Sequence, residues 1–280
     1  MGFDHIFLYD NAFNDEEHVE ECLGRCEQYR ERVTVFPAYN IQGFQVSAYT
    51  EFYLYHQKEF DYVAFIDVDE FVTVEMNSST ATDSCNSISS FIGKLGYPDA
   101  ISLNWMTYGD CGLLNDDGRP DYMRFTHPLP LNYSKDNMWG KQPFNGHVKT
   151  IYRTGLKIDT IRPHCSEGDY NLVNAVGNPI EKLPIQKDLC FTNCYVKHFI
   201  TRSIKEYIDT KIARGCKVDG SKCGYPLSMF FAFNKPTIKK LAIYFHTCKL
   251  YPEQTPRTLS WWIKCWIKMW IINPLFLKNA

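Results

Sequence analysis

Short apolar runs alternate with longer helical stretches in the first half of the chain, and this alternation constrains the fold most. Apolar runs at 3–9, 33–37, 62–66 and 100–105 are each short enough for a buried strand. The stretches between them, 14–30, 44–58 and 88–95, are long enough for helices, and acids fill the first turn of the first one. Repeated strand-then-helix units predict an α/β fold with a mostly parallel, Rossmann-like sheet flanked by helices.

The second half of the sequence is less regular. Residues 110–141 are rich in Gly, Pro, Asn and Asp and predict a long loop, and loops of this length often bind substrate. Strands are predicted at 147–153 and 194–200. A helix is predicted at 203–214, with Ser203 as N-cap, Glu206 completing a capping box, and Gly215 at the C-terminal end.

Composition narrows the class of protein and its location. A net charge of −2 gives no basis for general nucleic-acid binding. The eleven cysteines are scattered, without the paired spacing of a zinc site. The residues after Met1 do not have the basic-then-apolar pattern of a secretory signal. We therefore expect reduced thiols and a cytoplasmic location.

The C-terminal part, 251–280, contains a predicted amphipathic helix. Within 259–272, Trp262, Trp266 and Trp270 recur every four residues and share one face, while Lys264 and Lys268 lie opposite. A Trp-rich basic helix suits peripheral contact with the inner face of a membrane. Packing of the same helix on its own domain or on a partner is the alternative.

Two acids follow the apolar run at 62–66. Asp67 and Asp69 are spaced i,i+2, so in extended backbone their carboxylates point the same way and can converge on one cation. Mg²⁺ or Mn²⁺ binds such oxygen ligands and keeps open positions for phosphate oxygens. Acid pairs of this kind also occur on solvated loops, so the prediction of a cation site depends on the buried strand that precedes the pair.

Several segments in order resemble a known family. They are Gly2-Phe-Asp-His-Ile-Phe-Leu-Tyr-Asp-Asn11 with Asp15, Phe65-Ile-Asp-Val-Asp-Glu-Phe71, Asn104-Trp-Met-Thr-Tyr-Gly109 with Gly112, His147-Val-Lys-Thr-Ile-Tyr-Arg153, and Val196-Lys-His-Phe-Ile-Thr-Arg-Ser203 with Lys211 and Arg214-Gly215. Together they resemble the family-2-like glycosyltransferases of the DUF23, or family 92-like, group.

This resemblance implies a glycosyltransferase A-type fold, a nucleotide-sugar donor and an inverting displacement. It implies a catalytic domain at 1–250, with a nucleotide-binding half at 1–110 and an acceptor half at 111–250. Members of the family usually begin with a further strand and helix before the segment that matches Gly2. We therefore expect this first βα unit, which supplies part of the uridine pocket, to be missing from the chain.

The resemblance also assigns roles to individual residues. It places Asp10 and Asn11 at the nucleotide base or ribose, although a simple turn explains the same pair. It gives Asp67 and Asp69 to the metal and the sugar nucleotide, and Glu70 to support of their loop. Glu70 is equally compatible with a surface or capping position.

An inverting transfer needs a base that removes a proton from the acceptor hydroxyl. Asp110, beyond the predicted strand at 100–105, is the first candidate because its loop is expected to approach the acceptor. Asp116 and Asp117 are the alternatives, and any of the three could be a solvated loop acid.

Two histidines, a lysine and an arginine are further candidates for the donor site. His198 ends an apolar run and could complete the metal shell, with His164 as its rival, although a lone histidine is often structural. Lys149 and Arg153 alternate with apolar residues on a predicted strand, so both point to one face and could meet the diphosphate. A solvated sheet face predicts the same alternation.

Together these observations predict a metal-dependent, inverting glycosyltransferase that uses Mn²⁺ or Mg²⁺. The donor is expected to be a UDP-sugar, and the acceptor a saccharide or lipid-linked molecule of surface polysaccharide synthesis. Two other classes stay open. One is a metal-dependent hydrolase of nucleotide diphosphates, and the other is a non-catalytic module that binds a saccharide or a partner.

Overall fold

The computed structural model describes residues 2–12, 18–41, 43–76, 86–131, 143–212 and 227–248. The strands are β1 (Ile6–Asp10), β2 (Val33–Pro37), β3 (Tyr62–Ala64), β4 (Glu70–Glu75), β5 (Ala100–Thr107), β6 (Val148–Arg153), β7 (Leu172–Asn174) and β8 (Asn193–His198). The helices are α1 (Val19–Gly24), α2 (Gln45–His56), α3 (Ile88–Lys94), α4 (Asp121–Arg124), α5 (Ile204–Tyr207), α6 (Leu227–Phe233) and α7 (Ile238–Cys248).

Six of these strands form one curled, mixed sheet in the order β3-β6-β5-β8-β4, with β7 paired to β5. β5 is central, since β6 runs antiparallel along one side of it and β7 and then β8 run parallel along the other. The two outermost strands, β3 and β4, are antiparallel to their neighbours. β1 and β2 form a separate parallel pair.

The α/β class predicted from the sequence is confirmed, but the mostly parallel sheet is not found in the described part of the chain. The difference arises at β6, which is antiparallel to both β3 and β5, and at β4, which the sequence reading did not predict. A short turn after β3 leads directly into β4 without an intervening helix, so the chain cannot make a parallel crossover there. The alternation of buried Val72 and Val74 with the less buried Thr73 is the signal that identifies β4.

Two apolar clusters cover opposite parts of the sheet. α3 places Ile88, Phe91 and Ile92 against buried residues of β4, β5, β6 and β8. α2 places Phe52 and Tyr53 in a second cluster with β3 and β6, and the aromatic residues of β1 and β2 pack against it. The small pair β1–β2 is therefore attached to the sheet through α2, by burial of aromatic surface.

Most predicted elements of the first half lie within a few residues of their observed bounds. The predicted helix at 14–30 is shorter, since α1 covers only Val19–Gly24, and 13–17 lies outside the described residues. In the second half, the capping box of Ser203 and Glu206 is confirmed. The helix that it starts changes after Tyr207 into a π-helical turn, Ile208–Ile212. Gly215 lies outside the described residues.

The predicted helix at 259–272, and with it the whole segment 251–280, lies outside the described residues. Within the described ranges, no helix has the length and apolar character needed to cross a membrane. Cys26, Cys111, Cys165, Cys190 and Cys194 carry thiols rather than disulfides. The division into halves at residue 110 stays a prediction.

Candidate functional site

The acids predicted from the sequence lie in the segment that connects the two edge strands of the curled sheet. β3 and β4 stand at opposite ends of the strand order, yet only residues 65–69 connect them. The connection is a tight turn in which the Glu70 N–H donates to the Asp67 carbonyl at 3.0 Å. The expected extended conformation is therefore replaced by a turn, which points Val68 into solvent and leaves Asp67 and Asp69 in different surroundings.

Asp67 is the accessible member of the pair, with a side chain about one-third exposed at 34%. Its Oδ1 accepts hydrogen bonds from Gln45 Nε2 at 2.7 Å and from the Tyr49 hydroxyl at 3.1 Å. Its Oδ2 lies 3.0 Å from the Nζ atom of Lys149. Burial acts to raise the pKa of Asp67, but the charge of Lys149 outweighs it and holds the pKa below its usual range.

Asp69 is buried and is held by a different lysine. Its Oδ2 lies 3.0 Å from the Nζ atom of Lys211, which belongs to the π-helical turn after α5. Its Oδ1 lies 3.8 Å from Nε2 of His198 on β8. Burial opposes ionisation of Asp69, but the charge of Lys211 prevails and its pKa is well below the usual range.

Glu70, the first residue of β4, completes the turn from the buried side. Its Oε2 accepts the Asp67 N–H at 2.9 Å and lies 3.0 Å from the Nζ atom of Lys149. Its other oxygen, Oε1, is buried, and it accepts no hydrogen bond from any residue that the structure describes. Burial raises the pKa of Glu70 to about 8, despite the opposing charge of Lys149. The expectation that Glu70 supports the loop agrees with these contacts.

Three histidines surround the indole of Trp105 on the central strand β5. The ring centroid of Trp105 lies 4.0 Å from that of His198, 4.7 Å from that of His147 and 5.1 Å from that of His164. Burial lowers the pKa of His198 to about 3 and that of His164 to about 4, so both rings are neutral near pH 7. The two rings also have different neighbours. Nε2 of His198 faces Asp69, whereas Nδ1 of His164 contacts the Val148 carbonyl at 3.0 Å.

These surroundings bear on the expected metal ion. In the described part of the chain, no three or more histidine, cysteine or carboxylate side chains are arranged to hold one. Asp67 and Asp69 do stand near His198, but Asp67 is paired with Lys149, which it shares with Glu70, and Asp69 is paired with Lys211. A dication at this turn would compete with these lysines for the carboxylates, and the expected Mn²⁺ or Mg²⁺ stays a prediction.

Asp110, the candidate base, is buried at the end of β5. Its carboxylate makes an ion pair with Lys240 of α7, and its Oδ1 accepts the Gly112 N–H at 2.9 Å. Its own N–H donates to Asn234 Oδ1 at 2.6 Å. The alternatives, Asp116 and Asp117, lie on the surface beside Arg124, at 3.2 Å and 3.9 Å from its guanidinium nitrogens. Of the three acids, Asp110 is thus the buried one, whereas Asp116 and Asp117 are exposed.

Asp10 and Asn11 lie at the end of β1, on the smaller sheet. The Asp10 carboxylate accepts the N–H groups of Ala12 at 3.1 Å and of Val19 at 3.0 Å, and it contacts His18 Nδ1 at 3.2 Å. Because Val19 begins α1, this carboxylate stabilises the start of that helix. Asn11 Nδ2 donates to the Ile41 carbonyl at 2.6 Å. Both contacts fit the turn interpretation, and a role in binding a nucleotide stays a prediction.

Lys149 and Arg153 share β6, but the structure separates their surroundings. The Lys149 side chain is 1% exposed inside the acid cluster. Arg153, four residues further along the strand, forms a surface ion pair with Asp99. A strand rises about 3.3 Å per residue, which puts the two positions roughly 13 Å apart. Only Lys149 of the two belongs to the cluster.

The sequence reading missed two residues of the site, Gln45 and Tyr49 on α2. Their i,i+4 spacing puts both on one face of the helix, and that face meets Asp67. The spacing alone does not reveal a polar contact, because Tyr49 also packs against Phe65 and resembles a core residue. No family model matches this chain, and no curated protein matches it either.

Proposed function

We propose that the chain is a nucleotide-sugar-dependent glycosyltransferase of the A-type fold, which transfers a sugar with inversion to a saccharide or lipid-linked acceptor. The donor of the proposal is a UDP-sugar. The observation that carries it is the turn between β3 and β4, where an accessible carboxylate, Asp67, lies beside a second one, Asp69. The ordered segments that resemble family-2-like glycosyltransferases supply the class of reaction.

Asp67 is the residue suited to contact the donor. Its side chain is partly exposed, while Gln45, Tyr49 and Lys149 fix its orientation from three sides. A fixed, ionised carboxylate can accept hydrogen bonds from the hydroxyls of a ribose or a hexose. Its side chain is already ordered, so binding costs little of its conformational entropy. Lys149 is buried beneath it and acts by holding Asp67, so it would not touch the donor itself.

The acceptor hydroxyl must lose a proton as it attacks the anomeric carbon of the donor. The candidates are the loop acids Asp110, Asp116 and Asp117. Asp110 is the least accessible of them, because Lys240 and the buried end of β5 enclose its carboxylate. The proposal needs no covalent enzyme intermediate and no step through a metal ion. The expected Mn²⁺ or Mg²⁺ stays a prediction.

The first test is calorimetric titration of UDP into the purified chain, with wild type compared with Asp67→Asn. Asp61→Asn is the matched control, since Asp61 is an exposed acid near the start of β3. We expect binding to wild type and to the control, and a loss of about tenfold or more in affinity for Asp67→Asn, which lacks the charged acceptor. An absence of UDP binding to the wild-type chain would contradict the proposal.

The second test separates transfer from the two other classes of protein. UDP-sugars are incubated with and without saccharide acceptors, and released UDP and free sugar are measured. Release of UDP that depends on an acceptor supports a transferase. Free sugar produced without an acceptor identifies a hydrolase, and UDP binding without turnover identifies a binding module.

We also propose that the chain works in the cytoplasm, in contact with the inner face of a membrane through 259–272. That segment lies outside the described residues, so the proposal rests on its Trp and Lys pattern alone. Flotation with anionic liposomes tests it. If the full chain does not float with the vesicles, and a variant without 259–272 behaves identically, the proposal is contradicted.

A further inference from the structure

We infer that Arg202 binds a phosphate group of a substrate through the two terminal nitrogens of its guanidinium group. The inference rests on the proposed function, because the phosphate belongs either to the nucleotide-sugar donor or to a lipid-linked acceptor. Its basis is the position of Arg202 beside the turn between β3 and β4, with one edge of the guanidinium group held by a carboxylate.

Arg202 lies between the acids of that turn and the first residue of α4. It follows β8 closely, and the Phe199 N–H at the end of β8 donates to the Asp69 carbonyl at 2.9 Å. On the other side, the Nε atom of Arg202 lies 2.8 Å from Oδ2 of Asp121. Burial opposes ionisation of Asp69, but the charge of Lys211 and, more weakly, that of Arg202 lower its pKa. Arg202 is thus close enough to the turn for its charge to act there.

The guanidinium group of Arg202 is engaged along one edge. Its Nε atom is buried beside Asp121, while the side chain as a whole is 26% exposed. The terminal nitrogens, Nη1 and Nη2, donate to no residue that the structure describes. A guanidinium group has five N–H donors in a planar fork, and its geometry matches two oxygens of one phosphate. Because Asp121 fixes the buried edge, the fork is oriented before a ligand arrives.

The ion pair with Asp121 does not by itself account for an arginine at this position. Asp121 has a second cation, since Oδ1 of Asp121 lies 2.6 Å from Nη2 of the buried Arg124. Arg124 is held in turn by Glu206 at 2.8 Å. The Asp121 carboxylate would therefore stay compensated if Arg202 were removed. We take Asp121 to orient Arg202, rather than Arg202 to neutralise Asp121.

The backbone of Arg202 gives a further reason to look for a ligand. Its φ angle of 50° lies in the left-handed region, which costs free energy for a residue with a Cβ atom. The capping box of Ser203 begins α5 at the next residue, so the chain has to turn here. Asparagine and glycine adopt this conformation more readily than arginine does. Non-glycine residues in strained backbone concentrate at active and ligand-binding sites, and the guanidinium group accounts for an arginine here.

The test is calorimetric titration of UDP, uridine and a short isoprenyl phosphate into the full chain. Arg202→Asn removes the guanidinium group and suits the backbone conformation. We expect it to weaken binding of a phosphate-bearing ligand by about tenfold or more and to leave the affinity for uridine unchanged. Arg202→Lys keeps the charge without the fork, so its affinity should be intermediate. Arg119→Asn is the matched control, since Arg119 is exposed and pairs with Asp117 on the surface.

A loss of affinity for UDP in Arg202→Asn places the phosphate on the donor, and a loss only for the isoprenyl phosphate places it on the acceptor. Denaturant unfolding checks the fold, and Arg202→Asn should unfold at a midpoint no lower than that of wild type. Wild-type affinities for both phosphate ligands in this variant would overturn the inference and leave the proposed function standing. A wild-type chain that binds neither UDP nor the isoprenyl phosphate would overturn both.

Discussion

The Nζ atom of Lys149 lies 3.0 Å from an oxygen of Asp67 and 3.0 Å from an oxygen of Glu70. This buried cation connects the start of β6 to both ends of the turn between β3 and β4. The turn connects the two edge strands of the curled sheet, so Lys149 holds this connection as well as the orientation of Asp67.

Replacement of Lys149 by methionine should therefore destabilise the fold strongly. The substitution leaves Asp67 and Glu70 without their shared cation, and breaking a buried pair in this way typically costs about 3 kcal/mol or more. Guanidinium unfolding monitored by tryptophan fluorescence measures the change. Lys157→Met is the control, since Lys157 is exposed, and it should leave the unfolding free energy unchanged. Equal unfolding free energies of the Lys149→Met and Lys157→Met variants would count against the role given to Lys149.

The ion pair between Asp110 and Lys240 should behave as a structural unit. Both residues are buried, and they connect the end of β5 to α7. We expect Asp110→Asn and Lys240→Met each to cost about 3 kcal/mol, and the double variant to cost clearly less than their sum. A double-mutant cycle of unfolding free energies measures this coupling. If Asp110 is instead the catalytic base, Asp110→Asn should fold normally and lose only turnover.

The histidines around Trp105 should make the protein sensitive to mild acid. Burial lowers the pKa of His164 to about 4, below the usual value of about 6.5. Between these values the unfolded chain binds a proton that the folded chain does not, so stability falls as the pH is lowered through this window. The slope is about 1.4 kcal/mol per pH unit for each such histidine.

His164→Asn tests this pH dependence, because the Asn amide can still donate to the Val148 carbonyl. Denaturant unfolding at several pH values between about 6.5 and 4 gives the unfolding free energy as a function of pH. For His164→Asn, the slope of this dependence should be smaller than that of wild type by the contribution of one proton. His198, whose pKa lies at about 3, should keep contributing to the slope that remains. An unchanged slope in the His164→Asn variant would be inconsistent with a neutral, buried His164.

Gly146 should tolerate no side chain. A Cβ at this position would lie 2.4 Å from the Gln186 carbonyl oxygen and 3.0 Å from a methyl group of Ile185. Because the Gly146 carbonyl also accepts the Gln186 N–H at 2.8 Å, the two segments cannot separate without losing that hydrogen bond. We expect Gly146→Ala to cost about 1–3 kcal/mol. Gly24→Ala, in open space at the end of α1, should be neutral or stabilising by up to about 1 kcal/mol, as thermal unfolding can show.

Local patterns in the sequence were sufficient for many elements of the fold. The apolar run at 62–66, the helix at 44–58 and the capping box at Ser203 depend on neighbouring residues, and all three are present close to where they were predicted. The position of Asp67 and Asp69 directly after a buried strand was readable for the same reason. Local patterns do not report strand order or direction, so the antiparallel pairing of β3 with β6 and of β4 with β8 could not be predicted from them.

The partners of the acids were decided only by tertiary structure. Asp67 meets Lys149 across 82 positions of sequence and Asp69 meets Lys211 across 142, while Asp110 meets a lysine on α7. No spacing rule connects residues so far apart, because the curl of the sheet and the packing of α5–α7 bring them together. The sequence by itself determined which side chains carry charge and which strand delivers them. The three-dimensional packing determined which charges are neutralised, because ion pairing depends on distance and burial rather than on order in the chain.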